Sequence, residues 1–248
     1  METRLNVLGG GIFSKFMRLI QYIQQKNLIF EDTYLDVTDT MFDINENMLD
    51  YCIEQEQIPN VEITECSNYE TFDNKNRIET SIRITTFKLM CEKIIFTKKL
   101  NDLIELYTQK FVFDSNTIGV HIRLCDMNIT HAENYGQFNF ENFTNELDKI
   151  LTPESKIFVA SDNNESLKKL ELIYGDKVFF VPNMIRADKE DDNSYQLQVD
   201  NFPNPDFWIE SFLEMILLSK CSKLICRTSN LSNASLCFSK TIEEVIRL

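Results

Sequence analysis

Three short apolar runs in the second half of the chain, residues 117–123, 156–161 and 223–226, each end in a polar cluster and give way to a helical pattern. An apolar run of four to seven residues with no polar alternation is the mark of a strand buried on both faces. Helical stretches follow at 140–151, 165–174 and 207–219, and 227–232 turns into a last helix. Strands that alternate with helices cannot pair as hairpins. They require a parallel sheet with helices on both faces, so the chain is read as α/β. In such a sheet every strand ends on the same edge, and ligands bind beyond that edge. The clusters after the three strands are His121-Ile-Arg123-Leu-Cys-Asp126, Ser161-Asp162-Asn163 and Arg227-Thr228-Ser229-Asn230. They should therefore converge.

The first half repeats the order in weaker form. A strand at 5–8 is followed by Gly9, Gly10 and Gly11, then by Phe13, Phe16, Met17, Ile20 and Ile23 at helical spacing. A strand candidate lies at 27–31 and another at 61–64. Residues 47–75 are otherwise polar and irregular, and helical periodicity returns over 84–111. The natural division falls near residue 114. It gives two Rossmann-like halves, 1–114 and 115–248, with parallel sheets facing a cleft.

With 248 residues, 43% hydrophobic and 26% charged, the chain can bury a substantial core. Its formal net charge of −14 argues against nucleic acid and anionic membranes as partners. Any anion site must then be built from a few particular cations. The seven cysteines are odd in number and contain no C-x-x-C pair, so reduced, buried thiols are expected rather than disulfides or a zinc ribbon. The first 20 residues lack a signal-peptide pattern, because glycines, Lys15 and Arg18 break the apolar run. No transmembrane stretch is expected either, since the best apolar segment carries Glu210 and Glu214. A cytoplasmic location follows as the expectation. The acidic run 188–193 reads as a solvated loop.

Arg123 carries a charge to the end of a buried strand, which is costly unless it meets an anion. A diphosphate suits its planar fork, and an ion pair with Asp126 is the structural alternative. His121 stands two residues earlier on the same strand face. Thr228, Ser229 and Asn230 open a helix, where free N–H groups and hydroxyls suit a phosphate or serve as an N-cap. Arg227 adds charge beside them. Asp162 can accept from the N–H edge of a base, or cap the helix that follows, and capping is the simpler expectation. The glycine turn matches neither G-x-G-x-x-G nor a P-loop. There is no H-E-x-x-H, D-x-D or nucleophile elbow, and the only histidines are His121 and His131, so neither a metal nor a cofactor is expected.

Taken in order, three segments resemble the fucosyltransferase superfamily of α1,6-, α1,2-, nodulation and protein O-fucosyltransferases. IGVHIRLCD, from Ile118 to Asp126, is similar to the first motif, H-x-R with a following acid. IFVASD, from Ile157 to Asp162, is similar to the second. The helix, strand and Ser/Thr-rich turn from Glu210 to Ser232 are similar to the third. The resemblance covers the second half and implies a GT-B-like fold with the active site between two halves. It implies metal-independent, inverting transfer from a GDP-sugar, GDP-fucose above all, to a glycan or glycoside hydroxyl. It implies that Arg123 holds the β-phosphate with His121 beside it, that Ser161 and Asp162 meet the donor with Asp162 on guanine, and that Arg227, Thr228, Ser229 and Asn230 hold phosphate or ribose. Leu124 and Cys125 stand where many members carry a second arginine or a glycine. Another GDP- or UDP-sugar donor, or a degenerate binding protein, therefore stays open. Asp126 and Glu133 are the candidate bases.

Overall fold

A computed structural model of the protein describes residues 3–6, 11–28, 32–39, 43–55, 63–65, 87–124, 139–188, 194–227 and 229–248. The first sheet holds β1 (Thr3–Asn6), β2 (Thr33–Asp36) and β3 (Ile63–Glu65) in the order β2-β1-β3, all parallel, with Leu5 opposite Leu35 and Thr64. Between β1 and β2 runs α1 (Ile12–Lys26). Phe13, Phe16, Met17, Ile20 and Ile23 recur on its buried face, as their spacing requires. The expected strand at 27–31 begins later than the apolar pattern suggested. Asn27 closes α1 at φ 52° and Leu28 donates its N–H back to Ile23, which uses these residues as a helix stop.

Lys15 lies on the buried side of α1 and would be a liability there without a partner. Its Nζ is 2.5 Å from Asp39 Oδ2, and both side chains are sealed from solvent. Burial lowers the Lys15 pKa against the pull of Asp39. The pair ties α1 to the segment that leaves β2.

The second sheet comprises β4 (Thr117–Ile122), β5 (Lys156–Ser161), β6 (Val178–Phe179), β7 (Lys223–Cys226) and β8 (Glu244–Arg247), in the order β6-β5-β4-β7-β8. Every pairing is parallel. β8 carried no clear sequence signal, since it is four residues at a half-exposed edge. Side chains alternate as period two demands. Ile118, Val120, Ile122, Ile157 and Val159 face one core with Phe143, Leu147, Leu167 and Leu170. Those four come from α3 (Phe140–Ile150) and α4 (Asn164–Tyr174). Phe158, Ala160, Leu224 and Cys226 face the other core.

That second core is shared by the two sheets. Its centre is α6 (Pro205–Ser219), opened by Asn204 as N-cap and Pro205, with Trp208, Phe212, Met215 and Leu217 fully buried. Phe212 meets Phe13 at 5.2 Å and Phe16 at 5.4 Å between ring centroids. α7 (Asn230–Phe238) lies against α1 and α6. The helix α2 (Lys98–Phe111) precedes the expected division at residue 114 yet packs along α6. Phe111 and Phe113 then stack among Phe158 and Phe179 of the second sheet. By packing, α2 goes with the second half. A further short helix, α5 (Ser194–Asn201), follows the acidic run. Among the described residues no helix is long and apolar enough to cross a membrane. The five described cysteines, Cys52, Cys91, Cys221, Cys226 and Cys237, are free and buried.

Candidate functional site

The strand order 6-5-4-7-8 reverses direction between β4 and β7, because the chain builds outward from β4 to one side and then returns to the other. Helices diverge from such a switch point and leave a crevice beyond the strand ends. The register levels those ends. His121 pairs with Ala160 and with Cys226, and Ile122 pairs with Ser161. Arg123, Asp162 and Arg227 each stand one step past the sheet, so the three polar clusters do share one edge.

A cleft opens there. His121, Arg123, Ser161, Asp162 and Asn230 line it from the second sheet. Gly11, Ile12, Phe13 and Ser14 line it from the start of α1. Gly11 is the N-cap of α1 and supplies no side-chain cap, and the first turn of this 15-residue helix lies on the cleft wall. A third wall is formed by Met184, Ile185 and Arg186, together with Glu210 and Glu214 of α6.

His121 is 4% exposed. Burial, reinforced by the nearby Arg123 charge, depresses its pKa from 6.5 to about 3, so the ring is neutral at physiological pH. Its Nδ1 lies 3.3 Å from Ser229 Oγ. Ser229 is the N-cap of α7 in a reciprocal box with Ser232, accepting from the Ser232 N–H at 3.1 Å. Its hydroxyl is therefore engaged within the protein, and Ser229 is not among the residues that line the cleft. Arg227 is 4% exposed and is likewise not among the residues that line the cleft. The strand alternation turns it toward the protein interior. Asn230 alone of that turn's described residues reaches the cleft.

Asp162 does not cap the following helix, as had been the simpler expectation. Asn163 does, its Oδ1 accepting from the Ser166 N–H at 2.7 Å. The Asn163 backbone is extended while Asp162 still bends off the strand, so Asn163 is the residue with the cap geometry. Asp162 Oδ1 accepts from Asn163 Nδ2 at 3.0 Å and from the Leu124 N–H at 3.4 Å, which holds the carboxylate at the lip of β4 and β5. Gly9, Gly10, Asp126, Glu133 and Thr228 lie outside the described residues.

Sequence reasoning missed Arg186. The segment 184–188 crosses the end of β5, where Ala187 bonds to Asp162 O and Asn164 N. Arg186 Nε donates to Ser161 O at 3.0 Å, and its NH2 pairs with Glu214. Burial raises the Glu214 pKa, and the Arg186 charge opposes that rise. Glu210, one turn earlier on α6, accepts from the Ile185 N–H through Oε2 at 2.9 Å, and burial raises its pKa as well. A signal for this wall was present, since Glu210 and Glu214, four apart, interrupt the apolar run that starts at Phe207.

No protein-family model and no curated protein matches the chain in sequence. Solved structures do match it. The NodZ α1,6-fucosyltransferase co-crystallised with GDP is similar over 100% of this chain and 95% of its own, at 14% identity and a TM-score of 0.59. The fucosyltransferase NodZ from Bradyrhizobium is similar over 100% of this chain and 96% of its own, at 14% identity and a TM-score of 0.58. A mutant of Arabidopsis thaliana FUT1 in complex with GDP is similar over 99% of this chain and 70% of its own, at 11% identity and a TM-score of 0.55. With its two parallel sheets, shared helical core and cleft beyond the strand ends, the chain has the fucosyltransferase-like, GT-B fold.

Proposed function

We propose that the chain is a glycosyltransferase that takes a sugar from a GDP-linked donor, with GDP-fucose the donor and a glycan or glycoside hydroxyl the acceptor. One observation carries this reading: Arg123, His121 and Asn230 at the switch point share a single cleft with the N-terminal turn of α1. A guanidinium, a neutral imidazole and helix N–H groups are the donors a diphosphate needs. The base edge is accounted for by carboxylates. Guanine offers N1–H and a 2-amino group side by side, and a carboxylate accepts both. Uracil offers one N–H between two carbonyls, which a carboxylate repels. Asp162 and Glu210 on the cleft wall therefore favour GDP over UDP.

In this reading the acceptor hydroxyl attacks C1 of the sugar from the face opposite the diphosphate. The C1–O bond breaks, configuration inverts, and GDP leaves with the extra negative charge. Arg123 stabilises that charge electrostatically, the role a metal plays in other transferases. The acceptor's proton passes to a carboxylate base, for which Asp126 is carried forward. A solved neighbour crystal soaked with GDP-fucose lends support by analogy of fold.

Thermal denaturation with GDP, UDP, ADP and CMP, with and without magnesium, tests the reading. Ligand at a hundred times its Kd adds about 2.7 kcal/mol to stability. A GDP-selective, magnesium-independent rise in Tm that is lost in Arg123→Ala is expected. Stabilisation by UDP but not GDP would remove the donor assignment. Binding without transfer is the second reading, and one observation favours it. Leu124, where many fucosyltransferases carry a second arginine, is 1% exposed and packed in the core below the sheet. GDP binding with no transfer to any acceptor in a broad panel would select it.

A further inference from the structure

Ser229 and His121 are 108 residues apart in sequence and in hydrogen-bond contact at the switch point. Two proton arrangements fit the contact. Either Ser229 donates its hydroxyl proton to Nδ1, or Nδ1–H donates to Ser229 Oγ. The neighbours of Ser229 do not obstruct the first. Its oxygen accepts from the Ser232 N–H, and the single Ser232 hydroxyl proton is drawn to the carbonyls of Arg227 and Ser229 at 3.1 and 3.0 Å. The Ser229 hydroxyl proton has two acceptors in reach, Ser232 Oγ at 3.1 Å and His121 Nδ1 at 3.3 Å, and Ser232 Oγ already accepts from the Ser229 N–H.

The other side of the ring decides between them. His121 lines the cleft, and its Nε2 has no protein hydrogen-bond partner among the described residues, nor is it sealed from solvent. Arg123, on the same edge, opposes a second positive charge. A diphosphate oxygen accepts hydrogen bonds and gives none. A neutral ring can meet such an oxygen only through Nε2–H, and Nδ1 is then bare.

We infer that Ser229 is a positioning residue, whose hydroxyl proton holds His121 as the Nε2–H tautomer and so makes His121 a fixed hydrogen-bond donor to an anionic oxygen in the cleft. The inference rests on the nucleoside-diphosphate reading of that cleft. It reassigns Ser229 from ligand contact to a partner acting from behind the ring, as the second partner of a ligating histidine does at metal sites. The same oxygen that caps α7 thereby orients a donor on β4, which couples the helix start to the strand end.

Long-range 1H–15N correlation spectra of 15N-histidine protein with bound GDP read the tautomer directly. The chain has only two histidines, and His121→Gln identifies the signal. The expected result is protonated Nε2 with bare Nδ1, unchanged in Ser229→Thr. Without ligand the wild type should keep this tautomer, whereas in ligand-free Ser229→Ala the tautomers should mix, and GDP affinity should fall about tenfold, the loss typical of a hydrogen bond to a charged group. Ser232→Ala breaks the same capping box, yet should keep the tautomer. GDP bound to a protein with protonated Nδ1, or an Nε2–H tautomer that persists in ligand-free Ser229→Ala, overturns the inference and leaves the nucleotide site intact. Absence of GDP binding in the wild type overturns both.

Discussion

Arg186 and Glu214 form an ion pair whose side chains are only 3% and 9% exposed, and it joins the segment beyond β6 to the middle of α6 in the cleft wall. Such a pair resists loss of one partner far more than loss of both. Glu214→Gln should cost about 3–5 kcal/mol in urea unfolding, because the guanidinium stays buried without its countercharge. The double variant Arg186→Met/Glu214→Met should lose much less. A Glu214→Gln penalty below about 1 kcal/mol would mean the pair is open to water.

Glu210 differs from Glu214 in having its anchor on a backbone N–H rather than on a cation. If it reads guanine, inosine diphosphate should bind more weakly than GDP, because it lacks the 2-amino group. The gap should be on the order of tenfold in the wild type and should shrink in Glu210→Gln. Titration calorimetry with both nucleotides measures it. Equal affinity for the two in the wild type would exclude a carboxylate at the base edge.

His121 provides a pH signature. Its folded pKa of about 3 lies below the unfolded value, so on acidification the unfolded chain takes up a proton that the folded chain refuses. Stability from this group is complete above pH 6.5 and is lost as pH falls below it. Between pH 8 and pH 5 the wild type should lose about 2 kcal/mol more than His121→Gln. Parallel profiles would show that the ring is solvated. Comparison with the variant is needed because the raised pKa values of Glu210 and Glu214 act with the opposite sign.

Gly119 sits in mid-strand with φ unremarkable, and its reason is space. A Cβ there would come within 3.0 Å of Cys221 Sγ and 3.2 Å of Leu218 Cδ2, at the end of α6. Gly119→Ala should destabilise by about 1–3 kcal/mol through overpacking. Adding Cys221→Ala should recover part of that loss, a non-additivity expected of touching residues. Additive effects in denaturant melts would place the strain elsewhere.

Much of the second half was legible because its signals are local. Thr117–Ile122, Lys156–Ser161 and Lys223–Cys226 are apolar, bounded by polar turns, and interleaved with helices, so parallel pairing follows from chain geometry alone. Convergence of His121, Arg123, Asp162 and Asn230 follows from the same geometry. Errors fell where two physical roles compete for one residue type. Asn27 is compatible with strand or helix stop, and the end of α1 decided for the stop. Asp162 and Asn163 are both good caps, and the turn off β5 gave the cap to the second.

By itself the sequence determined the α/β class, the parallel order of the second half, the common edge of its polar clusters and the scarcity of positive charge that makes each arginine count. Those properties depend on neighbours along the chain and on composition. Only the tertiary structure decided that Arg227 turns inward, that Ser229 backs His121, that α2 packs with the second sheet, and that Arg186 and Glu214 build a wall of the cleft. Each of these depends on which of several chemically equivalent polar partners burial brings within 3 Å or so, and that distance is a property of packing rather than of sequence spacing.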